Sequence, residues 1–289
     1  MSETLRGHLS AFFCVLVWGS TFIVTKVLLH SFTTAEIIVL RFSIGVLVLL
    51  LLRPRRLRLR DRRESLLFTA AGLTGVTLYF LLENTALSYT MAANVGIIIA
   101  TAPLFTGLFS SLLSGGRERL SLRFLIGFAL AICGIAMISL GGQALKVGPL
   151  GDLLTVGAAC CWAVYTLLMR KINALHYDSI LCTRRVFAWG LLFTLPALPL
   201  IGFSPSLGAI LQPQRLLLFG YLGVCACALC YFLWNSAIAA LGPVHTNTWL
   251  YLSPVVTLVF SALLLHEPVT LRSLAGIVLI LAGLILSQK

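Results

Sequence analysis

Charge is what this sequence has least of. Of 289 residues, only 10% are Asp, Glu, Lys or Arg, and nine are acidic, against roughly 25% charged residues in an ordinary water-soluble domain. A soluble fold of this length would have to spread charge over most of its surface, so water is not its main solvent. The shortage of carboxylates leaves few candidates for a multi-carboxylate metal site. HExxH, GxSxG and P-loop patterns are all missing, and His266-Glu267 is followed by Pro268 without a second histidine. These absences argue against an intramembrane enzyme, and no cofactor or metal is expected. Long polar segments are missing too, which leaves no room for the soluble signalling module of a receptor or scaffold. The eight cysteines (14, 133, 160, 161, 182, 225, 227 and 230) all fall inside apolar runs, so disulfides between soluble loops are not expected. Cys227 and Cys230 form a CxxC pair, but without partner His or Cys pairs they read as small packing residues.

Apolar residues fill the space that charge leaves. They make up 59% of the chain, and the mean hydropathy is +1.02. A spanning helix needs about 20 mostly apolar residues, and ten stretches qualify, at roughly 8–29, 34–52, 65–84, 91–112, 121–140, 150–169, 178–201, 213–236, 243–264 and 271–287. None has the polar and apolar alternation of a barrel strand. The expected fold is therefore an all-α integral membrane protein with ten transmembrane helices. The first run is too long for a signal-peptide core and no A-x-A-like site follows it, so it is expected to remain as span 1.

A net charge of +12 raises the question of nucleic acid, but the arginines cluster between spans rather than among exposed aromatics, and no nucleic-acid partner is expected. They read instead as a topology signal. Seven arginines lie between spans 2 and 3, in RPRRLRLRDRRE, and seven more basic residues fall on the same side, against only Lys26, Lys146, Arg215 and Arg272 on the other. The positive-inside rule then places both termini in the cytoplasm of a multi-pass cell-membrane protein.

The chain also resembles itself. Residues 84–103 align without a gap to 235–254, an offset of 151 that pairs Asn84 with Asn235, Asn94 with His245 and Pro103 with Pro254. Further on, Gly127 and Gly134 pair with Gly276 and Gly283; upstream, at an offset of 144, Trp18 pairs with Trp162, Lys26 with Arg170 and Arg41 with Arg185. Residues 1–144 and 145–289 thus read as two five-helix repeats, and an odd number of spans per repeat forces the copies into opposite orientations. Inverted repeats are the architecture of many secondary transporters, with the substrate site near the midplane where the halves meet.

With Trp18-Gly19-Ser20, Arg41-Phe42, the AANVGIIIATAPLFTGLF run of span 4 and the HEPVTLRSLAG turn into span 10, the whole chain resembles the EamA-type family of the drug/metabolite transporter superfamily. The resemblance implies a ten-helix secondary carrier, often an exporter of amino acids or related metabolites, with a cavity formed mainly by spans 1, 3, 4, 6, 8 and 9. The partners expected are a small-molecule substrate and the lipid bilayer, with a homodimer as an option. An importer or exchanger of another metabolite class is the alternative.

Trp18, Tyr79, Trp162, Tyr165, Trp234, Trp249 and Tyr251 fall on spans which the family places around the cavity, where aromatic faces can stack on planar groups or hold a cationic amine. Asn84, Asn94, Asn235 and Asn247 are either cavity-lining amides or interhelical hydrogen-bonding residues. Pro103 and Pro254 should kink spans 4 and 9 as hinges. Glu83, whose repeat mate is Trp234, reads as an exposed or salt-bridged helix end near Lys26 and Glu36, or else as a site for a proton or a substrate amine; His245 is the second coupling candidate. Arg41 and Arg185, several residues inside spans 2 and 7, must face protein rather than lipid, and a structural role is expected for both. The glycines seven apart on spans 5 and 10 should mark close helix packing, within one chain or between two.

Overall fold

In lipid an apolar run can satisfy its backbone only by folding into a helix or a closed barrel. The computed structural model describes residues 2–90, 92–113, 121–140, 149–265 and 271–287, and these contain helices and no strand. Six helices are long and apolar enough to cross a membrane: α1 (Glu3–Leu29), α2 (Thr34–Leu52), α3 (Arg62–Tyr89), and, further along, Leu150–Asn173, Ser179–Ile201 and Pro213–Leu241. Between α3 and the second group come the shorter α4 (Ala92–Ile99) and α5 (Ala102–Leu113), then α6 (Leu122–Leu140). The second group is α7 (Pro149–Asn173), α8 (Ser179–Ile201) and α9 (Pro213–Leu241). After it come α10 (Pro243–Thr248), α11 (Ser253–Leu265) and α12 (Leu271–Ser287). The protein is a multi-pass helical membrane protein. Residues 266–270 of the HEPVTLRSLAG turn and the side chain of Asn94 lie outside the described residues.

Helix starts follow from local chemistry. Thr33 and Glu36 form a capping box at the start of α2, Asp61 accepts from the Glu64 amide to open α3, and Asp178 caps α8. Each satisfies amides that would otherwise point at nothing. Between α9 and α10 the chain turns on Gly242 at φ +82°, a conformation that costs a side-chain-bearing residue.

Among the described residues, four spans are irregular in the middle, in two pairs; α8 has in addition an unpaired 3₁₀ turn at Leu195–Ala197 near its end. A π-turn occupies Leu73–Leu78 in α3 and another Tyr221–Leu229 in α9; the offset of 151 carries Gly75 onto Ala226. The expected span at 91–112 is broken at Ala100 and Thr101 between α4 and α5, and the span at 243–264 passes through a 3₁₀ turn at Trp249–Leu252 between α10 and α11. Again the offset superimposes the two. Kinks were expected at Pro103 and Pro254; the breaks lie just before them, and each proline sits second in the helix that restarts, where its missing amide removes no bond.

Packing depends on backbone proximity, since lipid provides no hydrophobic drive between helices. The glycines of α6 and α12 pack within this chain: a Cβ on Gly134 would lie 2.5 Å from the Gly276 carbonyl oxygen, and one on Gly283 would strike the Gly127 carbonyl. At the ends of the helices, Arg53 pairs with Asp178 at 3.4 Å and Tyr177 donates to Glu64 at 2.8 Å. The arginine-rich segment before α3 is thereby tied to the α7–α8 connection, two segments which charge counting assigns to one side.

Replacing Gly134 by Leu should force α6 and α12 apart, an overpacking cost of about 1–3 kcal/mol. A fall of several degrees in the melting temperature of detergent-solubilised protein is the expected result; unchanged melting would mean that the seam has slack.

Candidate functional site

The paired irregularities meet at the centre of the molecule, around a set of aromatic side chains. Trp18 of α1 lies 5.2 Å from Trp162 of α7, 4.9 Å from Trp234 and 5.7 Å from Tyr231 of α9. Tyr79 of α3 and Tyr165 of α7 each approach Trp162, at 5.1 and 5.2 Å. Tilted and edge-on contacts at these separations are the favoured arrangement of aromatic rings. The cage is anchored to the π-turns. Trp18 Nε1 donates to the Ala226 carbonyl at 2.9 Å and the Tyr231 hydroxyl donates to the Gly75 carbonyl at 2.9 Å. Two carbonyls equivalent under the offset of 151 therefore each take a donor from the opposite half of the chain.

The cage borders a cavity of about 440 Å³, counted to its open side. It is narrow, with room for water-sized groups rather than a whole metabolite. Its walls include three pairs of repeat mates: Trp18 with Trp162, Phe80 with Tyr231, and Ile99 with Leu250. Ile99 and Leu250 come from the two helix breaks. The charges in the wall do not follow the repeat. Arg41 lines the cavity but its mate Arg185 does not, and Glu83 lines it opposite a repeat position held by Trp234.

Glu83 is 3% exposed and Arg41 2%. The reading of Glu83 as an exposed or salt-bridged helix end is thus corrected, because α3 continues to Tyr89 and carries Glu83 inside. The neighbours expected for it are engaged elsewhere: Lys26 donates to the Thr90 carbonyl, and Glu36 accepts from the amides of Thr33 and Ser204. Arg41 donates from Nε to Cys227 Sγ at 3.3 Å, with its guanidinium 4.3 Å from the centre of the Phe80 ring. A buried arginine costs about 3 kcal/mol or more when bare, and a desolvated cation–π contact returns up to about 2. Cys227 is accordingly more than a packing residue. Tyr79 stands one turn before Glu83 on α3, and both line the cavity.

The asparagines separate into two kinds. Asn235 accepts from Tyr165 at 2.8 Å and donates to Thr183 at 3.1 Å. Asn247 accepts from Trp162 Nε1 at 3.2 Å and donates to Thr106 at 2.6 Å and to Thr166 at 3.4 Å. Both join helices. Asn84 is fully buried, yet neither amide atom has a partner. Trp234 is fully buried and its Nε1 is likewise unpartnered.

Other expected site residues lie away from the cavity. Trp249 donates to His8 Nδ1 at 3.2 Å and packs edge-on to Phe12. Tyr251 is buried beside Phe128, Ala131 and Ile280. His245 is exposed on a surface cleft shared with Thr4 and His8. A 3₁₀ turn between α10 and α11 rotates side chains off the faces of a continuous helix, which is why Trp249 and Tyr251 do not join the cage. Tyr231, Phe80 and Arg41 were missing from the expected lining; applying the repeat offset to the aromatic positions would have found the first two.

The sequence profile of the EamA-like transporter family matches this chain at residues 5–140 and again at 149–288. The chain belongs to the EamA-like transporter family. It is similar to the uncharacterized transporter YvbV of Bacillus subtilis, 28% identical over 97% of this chain and 91% of that one. A Salmonella typhimurium protein named as a probable amino-acid metabolite efflux pump is 30% identical over 95% and 92%. One from Streptantibioticus cattleyicolor, named as a probable terminal-alkyne amino-acid exporter, is 27% identical over 95% and 91%. A solved crystal structure superposes on 99% of this chain and 98% of its own length with a TM-score of 0.75 at 19% identity, which shows a shared fold. This EamA-like protein is a transporter and not an enzyme.

Hydrogen-bond bookkeeping makes the two asparagines a contrasting pair. Asn247→Ala would strand Trp162 Nε1 in the interior and remove the amide that bridges Thr106 and Thr166, at about 1–3 kcal/mol. Asn84→Leu removes an amide with no partner and should be neutral or stabilising. Thermal unfolding of the two variants in detergent would reverse this order if Asn84, rather than Asn247, held the helices together.

Proposed function

We infer that this EamA-like transporter is a secondary carrier that exports amino acids or similar amphipathic metabolites by alternating access. The observation that carries the reading is that three pairs of repeat mates contribute to the cavity wall, since a site between two equivalent halves can be offered first to one side of the membrane and then to the other. The chain is read as ten transmembrane helices in two inverted repeats, 1–144 and 145–289. Support comes from the two matches to the family profile and from the paired π-turns and paired breaks at one offset. Both termini are assigned to the cytoplasm by the fourteen basic residues on that side.

Substrate is assigned to the cavity once it widens, against Trp18, Tyr79, Trp162 and Tyr231, which Tyr165 and Trp234 back from behind, with Arg41 and Glu83 offering one charge of each sign to a molecule that carries both an amine and a carboxylate. Two relatives bear names that specify export of amino acids or their metabolites, in keeping with that chemistry. The breaks before Pro103 and Pro254 are assigned as hinges. With no nucleotide-binding motif in the chain, transport must draw on an ion gradient or on exchange.

Purified protein in liposomes, tested with a panel of labelled amino acids and related metabolites, should show saturable flux for at least one compound. Trp162→Ala should reduce it by about tenfold or more, the loss of an aromatic contact and a hydrogen bond together, while Trp249→Ala should leave flux nearly intact. No saturable flux for any compound, with or without a proton gradient, would end the carrier reading.

A further inference from the structure

Two aromatic pairs in the cavity wall, Trp18 with Trp162 and Phe80 with Tyr231, follow the internal repeat, and the charges do not. That contrast shows where chemistry has been added to a symmetric scaffold. Resting on the carrier reading above, we propose that the Glu83 carboxyl is the coupling site of this transporter, holding either a proton or the ammonium group of the cargo, so that each cargo molecule loaded releases one proton.

Geometry sets the roles of the two charges. Arg41 keeps its proton at any physiological pH, so it supplies a constant positive charge, held by Cys227 Sγ and the ring of Phe80. Its guanidinium is not tied to a carboxylate; the ion pair found among the described residues joins Arg53 to Asp178 instead. Glu83 lines the same cavity, close enough to feel the Arg41 charge but not ion-paired with it. The titratable groups that act on it are Arg41 from α2, Tyr79 one turn back on its own helix, and Cys227 from α9, with Tyr231 of α9 also in the cavity wall. The described lining residues from α1, α4, α7 and the α10–α11 region carry no ionisable side chain. Of these groups only Glu83 is a carboxyl, able to give up a proton and take an ammonium group in its place.

The cycle then balances. Facing the cytoplasm, protonated Glu83 gives its proton to water as a cargo ammonium takes its place against the carboxylate, while the cargo carboxylate lies toward Arg41. Facing outward, the cargo leaves and a proton from outside water returns to a Glu83 oxygen. One proton enters per cargo molecule exported, and a zwitterionic cargo makes the exchange electrogenic by one charge. Because Trp234 holds the equivalent position in the other half, the stoichiometry is one proton and not two.

The test uses the full chain in liposomes and a uniformly labelled mixture of the protein amino acids, measured as exchange against the same unlabelled mixture and as accumulation driven by a one-unit pH gradient. One-for-one coupling permits accumulation of about tenfold for that gradient. Glu83→Gln, similar in shape and checked for unchanged elution and melting, should raise the KM for exchange, because the cargo ammonium loses its carboxylate, and at saturating mixture the exchange that remains should not respond to the gradient; Glu83→Asp should restore part of both. Gradient-driven accumulation that survives in Glu83→Gln would overturn the assignment. So would native protein that exchanges the mixture but ignores the gradient, which leaves the carrier reading standing. Absence of exchange in the native protein would remove that reading and this proposal together.

Discussion

Lipid supplies no hydrogen-bond partners, and the architecture of this transporter follows from where its backbone departs from the regular helix. Every departure has to be answered by a donor or acceptor from within the protein. The two π-turns are answered by Trp18 and Tyr231, whose polar atoms reach the Ala226 and Gly75 carbonyls across the divide between the halves. The same bonds aim the aromatic rings at one another and so form the cage. Irregular backbone, aromatic side chains and the cavity thus share one location for one reason.

That reason also separates what could be read in the sequence from what could not. The long apolar runs and the all-helical class follow from composition alone. The pairing of Trp18 with Trp162 follows from the repeat, and the glycines of α6 and α12 from their seven-residue spacing. The π-turns were invisible, because residues such as Leu73, Val76 and Ala226 are ordinary helix formers and only tertiary contacts widen the turn. Trp249 and Tyr251 fall within a 3₁₀ turn that the sequence does not announce, where side chains leave the faces of a continuous α-helix. Glu83 was read as a helix end because the apolar run fades near it, whereas the helix continues for another turn and a half to Tyr89.

Asn84 and Asn235 show how far the duplication has drifted. At one position the amide is bonded to Tyr165 and Thr183; at the other it is buried with nothing to bond. An unpartnered buried polar group costs stability; the first half carries it on the Asn84 amide and the second on Trp234 Nε1. The two halves share a backbone plan while differing in the polar groups they present.

The glycine contacts between α6 and α12 have a mechanical consequence. With carbonyl oxygens where side chains would otherwise stand, neither helix can slide along the other without collision, and neither has the room to roll. The seam therefore leaves no space for a side chain, and a bulkier residue at Gly134 or Gly283 would have to move backbone rather than a side chain.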